Sequence, residues 1–117
     1  MARILIAELS TEVRDLLVHV VARLGHEPVV YSRSQSELPE ADVLLLEPAF
    51  PAGAALAQAL VCRQPELPIV CVSIYPSAEE MQELEPVAYL LKPFTIGELS
   101  RALATAVAKA ERAPILS

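Results

Sequence analysis

Four apolar runs in this chain of 117 residues end on side chains that can do chemistry. Ile4-Leu5-Ile6-Ala7 ends on Glu8, Val43-Leu44-Leu45-Leu46 on Glu47, Ile69-Val70-Cys71-Val72 on Ser73, and Val87-Ala88-Tyr89-Leu90-Leu91 on Lys92-Pro93-Phe94. Carboxylates supply nucleophiles and oxygen ligands for hard cations, and an ammonium supplies the opposite charge. Short apolar runs of this kind read as strands buried on both faces of a parallel sheet. In an open parallel sheet the carboxyl ends of the strands share one edge, where such folds place their sites. Two carboxylates, a hydroxyl and an ammonium are therefore expected to converge, with Glu47 the most informative of them.

The segments between these runs supply the scaffold. The first strand is predicted over Arg3 to Ala7. A helix from Thr11 to Leu24 follows, with Val13, Leu16, Leu17, Val20, Val21 and Leu24 on helical spacing and Gly25 placed to cap its end. A second strand, Pro28 to Tyr31, leads into residues 32 to 39, which have room for one helical turn at most. The third strand ends at Glu47, and Pro51-Ala52-Gly53 breaks the chain before a helix over roughly Ala54 to Arg63. The fourth strand covers Pro68 to Ser73. Ser77 and Glu80 then form a capping-box pattern for a brief helix that Pro86 stops. Thr95 and Glu98 form a second box, flanked by the apolar pair Phe94 and Leu99, and open a last helix whose apolar stripe is Ile96, Leu99, Leu103 and Val107 and which ends before Pro114. The sum is a doubly wound α/β sandwich with a five-stranded parallel sheet, flavodoxin-like topology and shortened second and fourth helices.

Composition narrows the function classes. The length is that of one domain with one core, spanning 1–117. With 54% hydrophobic residues and only 4% aromatic, the core must be aliphatic. A net charge of −6 argues against a nucleic-acid surface, which needs a basic patch. No apolar stretch approaches the roughly 20 residues that span a bilayer, and the opening residues are too short for a secretory segment, so a cytoplasmic location and no membrane partner are expected. Cys62 and Cys71 lack metal spacing and read as small core hydrophobes. His19 and His26 have no other plausible ligand near them.

The four strand ends, Lys92-Pro93-Phe94, and Tyr89 three positions ahead of the lysine together resemble the receiver domain (CheY-like) of bacterial two-component response regulators. The resemblance spans nearly the whole chain. In that family an acidic pair ends the first strand, an aspartate ending the third accepts a phosphoryl group, Ser or Thr ends the fourth, and a lysine before a cis proline follows the fifth. Here those positions fall at Glu8 and Leu9, Glu47, Ser73, and Lys92 with Pro93. The acceptor has become Glu, the first acid Glu, and the second acid Leu. Ser73 and Tyr89 fall at the family's switch pair.

These departures imply a pseudo-receiver whose phosphorylation chemistry has been dismantled, and hence no enzyme, no metal and no cofactor. Phosphoryl transfer to a carboxylate needs a divalent cation on the phosphoryl oxygens. Leu9 offers that cation no oxygen. The extra methylene of Glu8 or Glu47 displaces its carboxylate by roughly 1.5 Å, one carbon–carbon bond, and misplacement on that scale costs on the order of a hundredfold in rate. Ile74 is expected to crowd the site, and Pro48 removes a backbone donor from its loop. Glu47 either pairs locally with Lys92 or carries its charge outward as a partial mimic of a phosphoryl group.

What remains is a surface. Glu79, Glu80 and Glu83 on the brief helix and Arg101 and Lys109 on the last one lie where the family builds its output and dimerisation face. Complementary charges there suit a two-fold homodimer or a signalling partner. The leading expectation is therefore a phosphorylation-independent interaction module in bacterial signal transduction. The alternatives are a degenerate receiver still phosphorylated weakly by a histidine kinase, and a small-molecule module on the same topology, for which no Gly-rich phosphate loop, nucleotide fingerprint or nucleophile elbow is present.

Overall fold

A computed structural model describes residues 1–32, 37–74 and 83–112. The strands are β1 (Arg3–Ala7), β2 (Glu27–Val30), β3 (Val43–Leu46), β4 (Ile69–Ser73) and β5 (Ala88–Leu91); the helices are α1 (Thr11–Arg23), α2 (Gly53–Arg63) and α3 (Ile96–Arg112). All strand pairs are parallel, in the order β2-β1-β3-β4-β5. This is the expected flavodoxin-like sheet. The second strand begins one residue earlier than the sequence suggested. The described residues between β2 and β3 contain no helix; residues 33–36 of the 32–39 segment expected to hold at most one helical turn, and the capping box of Ser77 and Glu80, lie outside the described residues.

Period-two alternation sorts each central strand onto two cores. Ile4, Ile6, Val43, Leu45, Val70 and Val72 pack with Leu17, Val20 and Val21 of α1 and Leu99, Leu103 and Val107 of α3. Leu5, Ala7, Leu44, Leu46, Ile69 and Cys71 pack with Leu56, Ala57 and Leu60 of α2. Both faces are covered, so the central strands could carry no polar residue before their ends.

The helix termini follow their sequence signals. Ser10 caps α1 through Val13 N–H. At its other end Gly25, with φ +88°, allows the N–H groups of Gly25 and His26 to donate to the carbonyls of Ala22 and Val21, a Schellman closure. At α3, Glu98 N–H donates to Thr95 Oγ1 and Thr95 N–H to Glu98 Oε1, both at 3.0 Å. That reciprocal bond holds the Glu98 carboxyl below its usual range. Thr95→Ala should cost about 1 kcal/mol of stability, read as a lower urea midpoint with unchanged slope.

Three burial expectations are corrected. Ile96 is 59% exposed, because α3 turns its small residues Ala102 and Ala106 inward beside Leu99, Leu103 and Val107. On α1 the inward face is Leu17, Val20 and Val21, which leaves Leu16 and Leu24 exposed. Cys62 lies on the outer face of α2 and is exposed, whereas Cys71 is buried. Burial and the nearby Glu47 charge push the Cys71 thiol up to about 12, so it stays a neutral core group.

Candidate functional site at the carboxyl edge of the sheet

Topology brings Glu8 and Glu47 together. The strand order reverses at β1, whose carboxyl end faces that of β3 with Ala7 opposite Leu46. Glu8 and Glu47 are the next residues of each chain segment, and Glu47 N–H donates to the Ala7 carbonyl at 2.9 Å. Gly53 lets α2 start tight behind this corner: a Cβ there would meet Leu46 Cδ1 at 3.1 Å.

Lys92 arrives from the other side. Its N–H donates to the Ser73 carbonyl at 2.7 Å, which anchors the end of β5 on β4. The Lys92–Pro93 peptide bond is cis, as the resemblance implies. The lysine's four-carbon stem spans the end of β4 to reach the acids of β1 and β3. Its ammonium donates to Glu8 Oε1 at 2.6 Å and lies 2.8 Å from Glu47 Oε2. The sequence suggested local pairing of Lys92 with Glu47; Glu8 holds the ammonium as well. Ala49 N–H donates to Glu47 Oε1 at 2.9 Å, so the loop supplies its donor one residue past Pro48.

Both carboxylates and the Ser73 hydroxyl beside them are buried, and Lys92 is half-buried. Glu8 is 4% exposed, Glu47 6% and Ser73 1%. Burial strips water from the Glu8 carboxylate and pushes its pKa up, against the pull of the Lys92 hydrogen bond and charge, while the charge of Glu47 adds to the rise. For Lys92 burial pulls downward, but its bonds to Glu47 and Glu8 outweigh that and leave its pKa raised. The lysine is thus held charged between two acids.

The remaining expected residues divide into those at this edge and those away from it. Leu9 stands beside Glu8 but is 62% exposed, and Ile74 beyond Ser73 is also 62% exposed. Both line a cleft of about 280 Å³ with Glu8, Ser10, Glu47, Ala49 and Lys92. Ile74 therefore borders the cleft from its rim rather than filling a buried space. Tyr89 is half-buried against the α2-side core, opposite Cys71 on β4. Of the expected interaction face, Glu83 and Arg101 are exposed and Lys109 is half-buried; Glu79 and Glu80 lie outside the described residues. His26 Nδ1 accepts the Ala2 N–H at 3.1 Å, and His19 is exposed on α1.

A divalent cation does not fit these donors. Of the four carboxylate oxygens of Glu8 and Glu47 only Glu8 Oε2, itself buried, has no hydrogen-bond partner; the other three already accept hydrogen bonds or the ammonium, and Leu9 brings no oxygen where a further ligand would stand. Mg²⁺ demands near-octahedral oxygen ligation. Among the described residues no group of three or more His, Cys, Asp or Glu side chains could hold a metal. Nor is any described helix long and apolar enough to cross a membrane.

No family model matches the sequence, and neither does any curated protein. Solved structures do. The chain is similar to a response regulator receiver domain protein (CheY-like) from Methanospirillum hungatei JF-1, with a TM-score of 0.83 at 19% identity over 97% of this chain and 99% of that one. It is similar to TrrA from Thermotoga maritima, solved with Mg²⁺ and BeF, with a TM-score of 0.75 at 18% identity over 91% and 99%. NtrX from Brucella abortus, in complex with ADP, superposes with a TM-score of 0.80 at 23% identity over 94% of this chain, which spans 27% of the NtrX chain. The fold of this chain is that of the CheY-like receiver domains of response regulators.

Proposed function

We propose that this domain is a phosphorylation-independent pseudo-receiver: a protein-interaction module of a signalling pathway, with no enzymatic activity of its own. One observation carries the reading. The Lys92 ammonium lies 2.6 Å from Glu8 and 2.8 Å from Glu47, so the carboxyl edge pairs both of its acids with a protein cation where a receiver would recruit a metal ion and a phosphoryl group. Without a group that binds one conformation better than another there is no free energy to drive a switch through Ser73 and Tyr89. The domain then presents one surface constantly, and its information lies in whether it is present or bound. Local pairing with Lys92 also accounts for Glu47 more simply than mimicry, because its charge is spent on the lysine. The exposed charges of Glu83 and Arg101 leave the face around β5 and α3 open to a signalling partner or a second copy.

The test is a titration of ¹⁵N-labelled protein. Millimolar Mg²⁺, with and without beryllofluoride or acetyl phosphate, should leave the amide spectrum unchanged and add no phosphoryl mass. A saturable Mg²⁺-dependent shift centred on Glu8, Glu47 and Lys92 would restore the degenerate, weakly phosphorylated receiver as the better reading.

A further inference from the structure

The large apolar residues left outside the two cores are not scattered. Among the described residues eight are exposed, and five of these, Leu9, Leu16, Leu24, Ile74 and Ile96, border one run of grooves. The cleft of about 280 Å³ at the carboxyl edge shares Ile74 and Lys92 with a groove of about 350 Å³ that Leu16 and Phe94 line. One turn farther along α1, a groove of about 480 Å³ lies between Arg23 and Leu24 on one side and Ile96 and Ser100 of α3 on the other. Single exposed apolar residues need no explanation, but a strip of them running the length of a helix marks an interaction surface.

The stripe of α1 beside these grooves is complementary to itself. Glu12, Leu16, His19 and Arg23 stand at i, i+4, i+7 and i+11, the spacing of one helix face, and all four are exposed. That spacing reads the same in both directions, so turning the helix end for end lays Glu12 on Arg23 and Leu16 on His19. Neither Glu12 nor Arg23 has an ion-pair partner among the described residues, whereas the nearby acid Asp15 already lies 3.9 Å from Arg14. We propose that a second copy of this chain docks on this strip, with the two α1 helices antiparallel across a two-fold axis that passes near Leu17 and Val18. An isologous contact requires a surface that matches its own rotated image, and the palindromic stripe supplies one. Each Glu12 then faces Arg23 of the partner subunit, and the groove walled by Leu24 and Ile96 on one copy covers the groove walled by Leu16 and Phe94 on the other. A net charge of −6 makes two copies repel at long range, so the charge pairs set the register and the apolar grooves supply the attraction. A contact centred on one helix of 13 residues, about 20 Å long, is small for a stable interface, and its dissociation constant should be on the order of 10 µM. The inference goes beyond the interaction-module reading, since it names a partner and a face that reading does not use.

Sedimentation velocity of the 117-residue chain, over concentrations that bracket that constant, should show one boundary moving from monomer to dimer. Glu12→Arg and Arg23→Glu each set like charges against each other twice in the dimer, and each alone should weaken it about tenfold or more, about 1.4 kcal/mol. An equimolar mixture of the two variants should dimerise again, because one then brings two cations and the other two anions to the same stripe, and these match only in the antiparallel register. Ile96→Lys, at an exposed position, should give a monomer at every concentration with an unchanged circular dichroism spectrum. Glu83→Lys, on the face around β5, should leave the dimer as it is. A wild-type chain that stays monomeric throughout would overturn the proposal and assign the strip to a different protein. Dimers equally tight in wild type and both charge variants, or lost on Glu83→Lys, would overturn it in favour of another face. A mixture no tighter than its components would overturn the antiparallel pairing on which it stands. None of these readouts involves Mg²⁺ or a phosphoryl analogue, so this inference and the proposed function fail separately.

Discussion

Lys92→Met should destabilise the protein by about 3–5 kcal/mol at pH 7.5, the cost of stranding buried charges by removing their partner. Few single substitutions in this chain should do more. The methionine keeps the length and apolar character of the stem but leaves the carboxylates of Glu8 and Glu47 buried with no cation. Urea unfolding monitored by circular dichroism reads the loss directly. A change under about 1 kcal/mol, the range of surface ion pairs, would mean that water reaches the triad freely.

The deficit should depend on pH with a definite sign. In the wild type burial already raises the Glu8 pKa, and Lys92 is the group that holds it down. Removing the lysine raises it further, so the folded variant binds protons more readily than its unfolded chain. A folded-state pKa above the unfolded value gives stability that is full below the unfolded pKa and lost as pH rises through the folded one. The gap between variant and wild type should therefore widen from pH 5 to pH 8. Replacing the whole cluster, with Glu8→Leu, Glu47→Gln and Lys92→Met together, should return stability close to wild type at every pH. No buried charge is then left unpaired, and glutamine can still accept the Ala49 N–H.

The strands that carry this cluster were legible because burial on both faces forbids polar residues until the strand ends. Four apolar runs closing on Glu8, Glu47, Ser73 and Lys92 therefore mark both the sheet and its carboxyl edge. The caps were legible for a similar reason, since Thr95 with Glu98 and Gly25 each satisfy backbone groups that no other local sequence would. Side-chain direction beyond a strand end was not legible. Once the chain leaves the sheet, period two no longer holds, and nothing in the sequence turns Leu9 and Ile74 outward. Ile96 failed differently. Ranking apolar residues by size favours isoleucine over alanine, yet close packing of α3 on the sheet selects Ala102 and Ala106 for the inner face. The unmatched Glu8 Oε2 is a further step removed, because it depends on which of two oxygens the lysine takes.

On the pseudo-receiver reading, phosphoryl transfer should be installable at this edge, and only in a definite order. Glu47→Asp alone should not make the domain phosphorylatable, although it supplies the usual acceptor. The incoming phosphoryl charge would still find no cation, because Leu9 contributes no oxygen and Lys92 still holds Glu8. Combining Leu9→Asp with Glu8→Asp and Glu47→Asp should change this. Shortening both acids draws their oxygens back from the ammonium, and the new aspartate adds an oxygen ligand beside them. Three neighbouring carboxylates repel one another, so the triple variant should be less stable than wild type without metal. It should regain stability with Mg²⁺, by about 2.7 kcal/mol at a hundredfold excess over the dissociation constant. Acetyl phosphate should then label it, and adding Ile74→Ala should speed labelling by opening the rim of the cleft. Thermal melts with and without Mg²⁺, paired with mass spectrometry after acetyl phosphate treatment, read both steps. Efficient labelling of the Glu47→Asp single variant would show that the lysine-bound acids can release a cation site unaided, and the natural domain would then stand one methylene from a working receiver.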